Sequence, residues 1–162
     1  MRSCLIGLGR IAFILERDPL RAKPCTHAGS LLALHRRSPK GRGQGFELVG
    51  ACDRHPETLA DFQSWWSREL RKQIGAHSSR NAREFAAPAG HTDYRELLRE
   101  TRPEFVVIAT RTDSHVDIAC ESIRRGARVI LLEKPIGMHV KDARRLERMA
   151  RKPGTHVWIN FE

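Results

Sequence analysis

The first residues that could do chemistry form a glycine-rich turn directly after the short apolar run at 4–6. The turn, Gly7-Leu8-Gly9-Arg10-Ile11-Ala12, has the spacing Gly-x-Gly-x-x-Ala. Gly7 permits a tight turn, Gly9 lets a pyrophosphate approach the backbone, and Ala12 lets a helix pack closely on the strand. The helix N-terminus would face the anion. Glycine turns are common, but this position between a strand and a helix predicts a dinucleotide site. Its residues are Gly7, Gly9, Arg10, Ile11 and Ala12.

A carboxylate follows the second apolar run, at 46–52. At a strand end, Asp53 can accept hydrogen bonds from both hydroxyls of an adenosine ribose, and it repels a 2′-phosphate, which predicts NAD as the cofactor. Arg54 could stack on adenine or tolerate a phosphate, so NADP is the less favoured alternative. Asp53 could also be only a turn residue. The spacing from Gly9 exceeds the usual ~20 residues, because interruptions at 18–27 and 38–45 lengthen the connection.

Polar residues also follow the two later apolar runs, at 105–109 and 128–132. The first run is followed by Thr110-Arg111-Thr112-Asp113-Ser114-His115, and the second by Glu133-Lys134-Pro135. Glu-Lys-Pro at the end of a buried strand is the most specific of these signals. A structural interpretation remains, because His115 could simply begin a helix and Glu-Lys-Pro could be a polar strand exit.

The elements that must position these residues alternate along the chain. The apolar runs lack strict polar alternation, which is typical of strands buried on both faces of a parallel sheet. Strands are predicted at 4–6, 46–52, 105–109, 128–132 and 157–159; helices at 9–16, 27–37, 57–74, 94–100, 113–125 and 140–150; loops at 38–45 and 78–90. This order predicts one α/β domain over residues 1–162, with a doubly wound, mostly parallel, Rossmann-like sheet. Trp65 and Trp66 point about 100° apart on a helix, so one should pack inward and the other be exposed.

These motifs together resemble the N-terminal half of the Gfo/Idh/MocA oxidoreductases. The resemblance rests on Gly-x-Gly-x-x-Ala, the strand-end Asp53, Thr110 followed by His115, Gly126 with Val129, and Glu-Lys-Pro, in that order. It covers nearly the whole chain. One departure is Arg111, which stands where such proteins often have a proline after the threonine.

The resemblance implies a nicotinamide-dinucleotide-binding domain of an enzyme that transfers hydride to or from a sugar, cyclitol or similar carbinol. Lys134 would lie near the nicotinamide ribose and the substrate hydroxyl, where its ammonium can polarise oxygen or stabilise developing negative charge. Glu133 would hold the loop or the lysine, and Pro135 would shape the turn through a cis peptide. The implied cofactor-binding residues at this end are Thr110, Arg111, His115, Glu133, Lys134 and Pro135, with Lys134 and His115 as catalytic candidates.

The family also has a second α/β domain, which covers the nicotinamide and supplies an acid/base histidine. That domain is absent from these 162 residues, so we expect an incomplete catalyst: a fragment, or a split half that works with a complementing C-terminal chain or as a homo-oligomer. The alternative is a stand-alone NAD-binding module, or a subunit of a complex, without its own catalysis. His27, in the unusual segment at 17–27, could reach the site from the first crossover.

The charge and the cysteines narrow the other possibilities. The formal net charge is +10, but no run of five or six like charges and no nucleic-acid-binding motif accompanies it. We expect solvated helix faces, with a polyanion-binding surface as the disfavoured alternative. The four cysteines lack a C-x-x-C pair and the histidines lack metal spacing, so we expect reduced thiols, no metal and a cytoplasmic location. The sequence contains no apolar stretch of 18 residues, so it predicts no membrane-spanning helix.

Overall fold

The sheet at the centre of the molecule has six strands, all paired in parallel. The structure, a computed structural model, describes residues 1–36, 46–74 and 87–161. The strands are β1 (Arg2–Ile6), β2 (Glu47–Cys52), β3 (Ala89–His91), β4 (Phe105–Ile108), β5 (Val129–Glu133) and β6 (His156–Asn160). Their spatial order is β3-β2-β1-β4-β5-β6, so the order of strands reverses between β1 and β4. Ligands of such sheets bind outside the carboxyl ends of the strands at this reversal. The predicted doubly wound α/β fold is confirmed.

Helices cover both faces of the sheet. They are α1 (His27–Arg36), α2 (Pro56–Ile74), α3 (Tyr94–Thr101), α4 (Thr112–Arg124) and α5 (Val140–Ala150). Because alternate residues of a strand point to opposite faces, Leu5 of β1 packs with α1 and α2. Its neighbours Cys4 and Ile6 pack with α3, α4 and α5. No helix among the described residues is both long and apolar enough to cross a membrane.

Both tryptophans of α2 are buried, so the expectation that one would be exposed was wrong. Trp65 is 6% exposed and Trp66 is 1% exposed. The ring of Trp65 lies 5.3 Å from that of Phe13 in the first crossover, and the ring of Trp66 lies 6.0 Å from that of His35 on α1. α2 therefore has neighbours on two flanks as well as the sheet beneath it, which covers a wider arc of the helix.

The connection after β1 differs from the predicted helix at 9–16. The structure has a turn followed by a short 3₁₀ helix, Ile14–Arg17, so the prediction of a regular helix was wrong. Glu16 is buried there, and its Oε2 accepts hydrogen bonds from the backbone N–H of Cys25 at 3.0 Å and the hydroxyl of Thr26 at 2.8 Å. A buried carboxylate needs such donors, so the chain folds back around Glu16 instead of continuing as a helix.

The first α-helix after β1 is α1, and its first residues contact the glycine turn. The N–H of His27 donates to the carbonyl of Ile11 at 3.3 Å, and that of Ala28 donates to the carbonyl of Ala12 at 2.8 Å. Main-chain hydrogen bonds thus join the residues before and after the inserted segment. The inserted segment therefore leaves the glycine turn in contact with the start of α1.

The two expected loops fall largely outside the described residues. The loop at 38–45 lies outside them entirely, and of 78–90 only 87–90 is described. Within that part, β3 begins at Ala89, so the loop prediction was wrong there. β3 consists of the three residues Ala-Gly-His, which contain no apolar run that would indicate a strand.

Candidate functional site

The two glycines of the first turn have different structural roles. Gly7 has φ +88°, and a Cβ on it would lie 2.6 Å from the carbonyl oxygen of Ala109. Its N–H also donates to the carbonyl of Cys52 at 2.8 Å, so Gly7 joins the ends of three neighbouring strands. A Cβ on Gly9, in contrast, would meet no atom within 4 Å. The turn therefore leaves open space at Gly9, which is where a pyrophosphate needs room.

Asp53 lies beside this turn and also fastens it. One carboxylate oxygen, Oδ2, accepts the N–H of Leu8 at 2.8 Å, and the other accepts the N–H of His55 at 2.9 Å. The sequence predicted a ribose ligand but gave no sign of the contact with Leu8. Each oxygen of an ionised carboxylate has two acceptor positions. Asp53 can hold the turn and still accept a hydrogen bond from a ligand hydroxyl.

A cleft of about 780 Å³ opens at the carboxyl ends of the strands. That volume lies within the range of about 300–1,000 Å³ that is usual for ligand pockets. The predicted site residues that line it are Gly7, Gly9, Arg10, Asp53, Arg54, Thr110 and Arg111. It also has lining residues that were not predicted, among them His55, Thr92, Tyr94, Asp113 and Ser114. The cleft therefore combines the open turn with several cationic side chains, and these residues fit a dinucleotide.

Three arginines give the cleft its positive charge. Arg10, Arg54 and Arg111 are all exposed and all line it. Arg111 is partly balanced by Asp113, whose carboxylate lies 3.6 Å from its Nε. Guanidinium groups suit phosphate oxygens because they donate in a planar fork. Another depression, of about 740 Å³, lies along α2 between Gln63 and Lys72 and contains none of the predicted site residues.

Two of the predicted residues of the glycine motif support the cleft without lining it. Ile11 is half-buried, and Ala12 is fully buried. Ala12 belongs to the same core as Leu31 and Leu32 of α1. This fits the small residue expected at the third position of the motif, where helix and strand pack closely.

His115 is buried below the cleft, with 1% of its surface exposed. Its Nδ1 lies 2.9 Å from the carbonyl oxygen of Pro135, and its Nε2 lies 3.0 Å from that of Thr110. Carbonyl oxygens only accept hydrogen bonds, so a ring nitrogen that carries a proton donates to one of these two stretches of backbone. The structure therefore places His115 as a bridge between the turns after β4 and β5, and not at the surface of the cleft.

Glu133 is the last residue of β5, and Lys134 and Pro135 form the turn that follows it, two strands from the glycine turn. The peptide bond before Pro135 is cis, as the resemblance implied. Lys134 is exposed and has no hydrogen bond or ion pair among the described residues. Glu133 is 8% exposed, and its Oε1 lies 2.7 Å from Nε2 of His27. His27 thus reaches the side chain of Glu133 from the first crossover, and Glu133 is bound to it and not to the lysine. His27 and residues 133–135 are not among the residues that line the cleft.

The thiols near the sheet are not poised as nucleophiles. Burial, and to a smaller extent the neighbouring carboxylate of Asp53, raise the pKa of Cys52 to about 12. Burial likewise raises the pKa of Cys4 to about 11. Both groups are therefore neutral thiols near pH 7. Within the ranges that the structure describes, no group of three or more His, Cys, Asp or Glu could hold a metal ion.

Comparison with solved structures shows the same fold in several dehydrogenases. The WlbA dehydrogenase from Chromobacterium violaceum, in complex with NADH and UDP-GlcNAcA, matches with a TM-score of 0.64 and 20% identity over 99% of this chain and 34% of that one. The myo-inositol 2-dehydrogenase from Lactobacillus plantarum matches with a TM-score of 0.61 and 18% identity over 98% of this chain and 35% of that one. Biliverdin reductase from Synechocystis, in complex with biliverdin and NADP⁺, matches with a TM-score of 0.63 and 16% identity over 98% of this chain and 37% of that one.

A curated relative and a family match extend the comparison to sequence. Glycosyl hydrolase family 109 protein 2 of Akkermansia muciniphila is 29% identical over 99 residues, which are 60% of this chain and 18% of that protein. This chain therefore spans about a third of the solved structures and less than a fifth of the curated relative. Residues 1–161 match the family described as "Oxidoreductase family, NAD-binding Rossmann fold". The chain belongs to the Gfo/Idh/MocA oxidoreductases and forms their NAD-binding domain.

Proposed function

We propose that this chain binds NAD(H) in the cleft and serves as the cofactor-binding half of an oxidoreductase that acts on a carbinol carbon, as in a sugar or cyclitol. The observation that carries the proposal is the open space at Gly9, flanked by Asp53 and by the arginines of the cleft. When bound, the nicotinamide accepts or donates the hydride. The residues of this chain bind and orient it.

Asp53 supports a preference for NAD over NADP. Its carboxylate is fixed by two backbone N–H groups at the edge of the cleft, so it cannot easily turn away from a ligand. A 2′-phosphate placed there would meet this negative charge. The exposed guanidinium of Arg54 next to it reduces the repulsion but does not remove it.

Lys134 supports the assignment of the reactive end. Its ammonium has no carboxylate partner among the described residues, since Glu133 is bound by His27. A free cation at this edge can polarise the carbinol oxygen and stabilise negative charge as the proton leaves. The buried position of His115 supports a holding role in place of the catalytic role that the resemblance implied. The proton acceptor then comes from a second α/β domain, a complementing chain or a second copy.

Calorimetric titration of the purified chain tests the proposal. We expect NADH to bind more tightly than NADPH, and Gly9→Val to abolish binding of both, because the new side chain fills the space of the pyrophosphate. Val157→Ala, on β6 and away from the glycine turn, is a control for the effect of substitution itself and should leave binding unchanged. Unchanged NADH affinity in a folded Gly9→Val variant contradicts the proposed site.

Glycoside cleavage is a second candidate, favoured by the name of the curated relative in Akkermansia muciniphila. NAD-dependent glycosidases exist, and they use the cofactor without consuming it. The two reactions are distinguished by supplying the C-terminal half and an aryl glycoside. Release of the aryl group with no net formation of NADH indicates the glycosidase, whereas stoichiometric NADH from a free polyol indicates the dehydrogenase. Cofactor binding without either reaction indicates an NAD-binding module.

A cytoplasmic location, which keeps the free cysteines reduced, is part of the same proposal.

A further inference from the structure

His27 contacts both ends of the proposed cofactor site. Its backbone N–H donates to the carbonyl of Ile11 in the glycine motif, at 3.3 Å. Its side-chain Nε2 lies 2.7 Å from Oε1 of Glu133 in the Glu-Lys-Pro motif, 106 residues away in sequence. One residue at the start of α1 therefore links the turn after β1 to the turn after β5.

The contact with Glu133 is buried and specific. The side chains of His27 and Glu133 are 12% and 10% exposed. The same oxygen of Glu133 also accepts a hydrogen bond from Nδ2 of Asn160, at 2.7 Å. Asn160 is the residue that faces Glu133 across the β5–β6 pair. A carboxylate removed from water is stable only with such donors, so His27 and Asn160 together fix its orientation.

The residues on either side of Lys134 are thus both held by an imidazole. His27 holds the side chain of Glu133, and His115 lies 2.9 Å from the carbonyl oxygen of Pro135. Lys134 between them stays exposed. The two contacts restrain the backbone of the lysine while its ammonium remains available.

We propose that His27 is a positioning residue, which acts through Glu133 to hold the Lys134 turn at a fixed place relative to the glycine turn. The inference rests on the proposed binding of NAD(H), because it assigns the nicotinamide end of the cofactor to the Lys134 turn. A dinucleotide must contact both turns at once, so fixing their separation favours its binding through preorganisation. A ligand that reaches only the glycine turn gains nothing from this link.

The experiment compares two ligands that share the adenosine and the pyrophosphate. NADH also carries the nicotinamide and its ribose, and ADP lacks both. Affinities for both are measured by calorimetry with the wild-type chain, His27→Ala and His27→Gln, whose amide keeps a donor at a similar reach. His35→Gln is the matched control, since His35 lies on the same helix and its contacts are the carbonyl of Phe46, at 3.1 Å, and the ring of Trp66.

We expect His27→Ala to weaken NADH binding by about tenfold, the lower end of what one hydrogen bond to a charged group contributes, and to change ADP binding less than about twofold. His27→Gln should recover most of the loss, and His35→Gln should behave as wild type. The fluorescence of bound NADH, which reports the surroundings of the nicotinamide, should change in His27→Ala and recover in His27→Gln.

Several outcomes would overturn the inference. An equal loss of both ligands in a folded His27→Ala variant shows a structural role only, and no loss of either shows no role. Circular dichroism checks the fold; if His27→Ala does not fold, Asn160→Leu removes the second donor to the same oxygen and must give the same selective loss of NADH. A wild-type chain that binds neither ligand refutes the proposed function and this inference together. Binding of both without a selective loss refutes only the role of His27.

Discussion

The two glycines of the first turn should affect different properties of the protein: Gly7 its stability and Gly9 its binding of NADH. Gly7→Ala places a methyl group 2.6 Å from the carbonyl oxygen of Ala109, on a residue with φ +88°. The left-handed backbone costs about 1–2 kcal/mol for a residue with a side chain, and overpacking adds about 1–3 kcal/mol. The expected loss of unfolding free energy is therefore about 2–5 kcal/mol. At about 2–4 °C per kcal/mol for a domain of this size, the Tm should fall by at least ~4 °C.

Gly9→Val should leave stability almost unchanged, within about 0.5 kcal/mol, because nothing lies within 4 Å of the added Cβ. It should nevertheless abolish NADH binding. The assay is thermal unfolding by circular dichroism together with NADH titration, applied to both variants and to wild type. Equal Tm values for the two variants, or wild-type NADH affinity in Gly9→Val, would refute this division of roles.

Three further predictions follow from the site and the core. Asp53→Ser should narrow the difference between NADH and NADPH affinity by removing a negative charge, and an unchanged ratio in calorimetry contradicts that role. Because burial raises the pKa of Cys4 to about 11 and of Cys52 to about 12 from 9.0, the unfolded thiols ionise first. The free energy of unfolding should therefore fall as the pH rises from about 9 to about 12; urea titrations of wild type and Cys52→Ala measure it, and an equal slope in both contradicts it. The chain alone should bind NADH yet show no turnover with polyols, since orientation and a base supply much of the rate. Supplying a C-terminal half should restore turnover, and Lys134→Ala should then remove most of it, whereas robust NAD reduction by the chain alone contradicts this.

The elements that were predictable are those whose signal lies within the element itself. Apolar runs marked five of the strands, and the helices predicted between them at 57–74, 94–100, 113–125 and 140–150 match α2 to α5 to within one residue at each end. β3 was missed because Ala-Gly-His carries no such run. The prediction of a helix at 9–16 was wrong because the local structure depends on Glu16, whose hydrogen-bond donors lie about ten residues later in the sequence.

The candidate site divides in the same way. The glycine motif and Asp53 could be identified from their positions at strand ends, and Thr110 and Arg111 from the resemblance to the family; the cleft brings them together. The contact of Asp53 with Leu8 and that of His27 with Glu133 join residues far apart in sequence. Nothing in the local pattern indicates such pairs, because they depend on how the strands are ordered. The inward placement of His115 was not predictable either, because both its partners are backbone carbonyls, which every residue type provides.

A crystal structure of this chain with NADH would test the central claim most directly. The account predicts the pyrophosphate against Gly9 and Arg10, the adenosine ribose within hydrogen-bond distance of Asp53, and the nicotinamide end beside Lys134. NADH bound elsewhere, such as in the depression along α2 between Gln63 and Lys72, would contradict the account. So would a cofactor whose 2′-hydroxyl points away from Asp53 while its pyrophosphate lies outside the glycine turn.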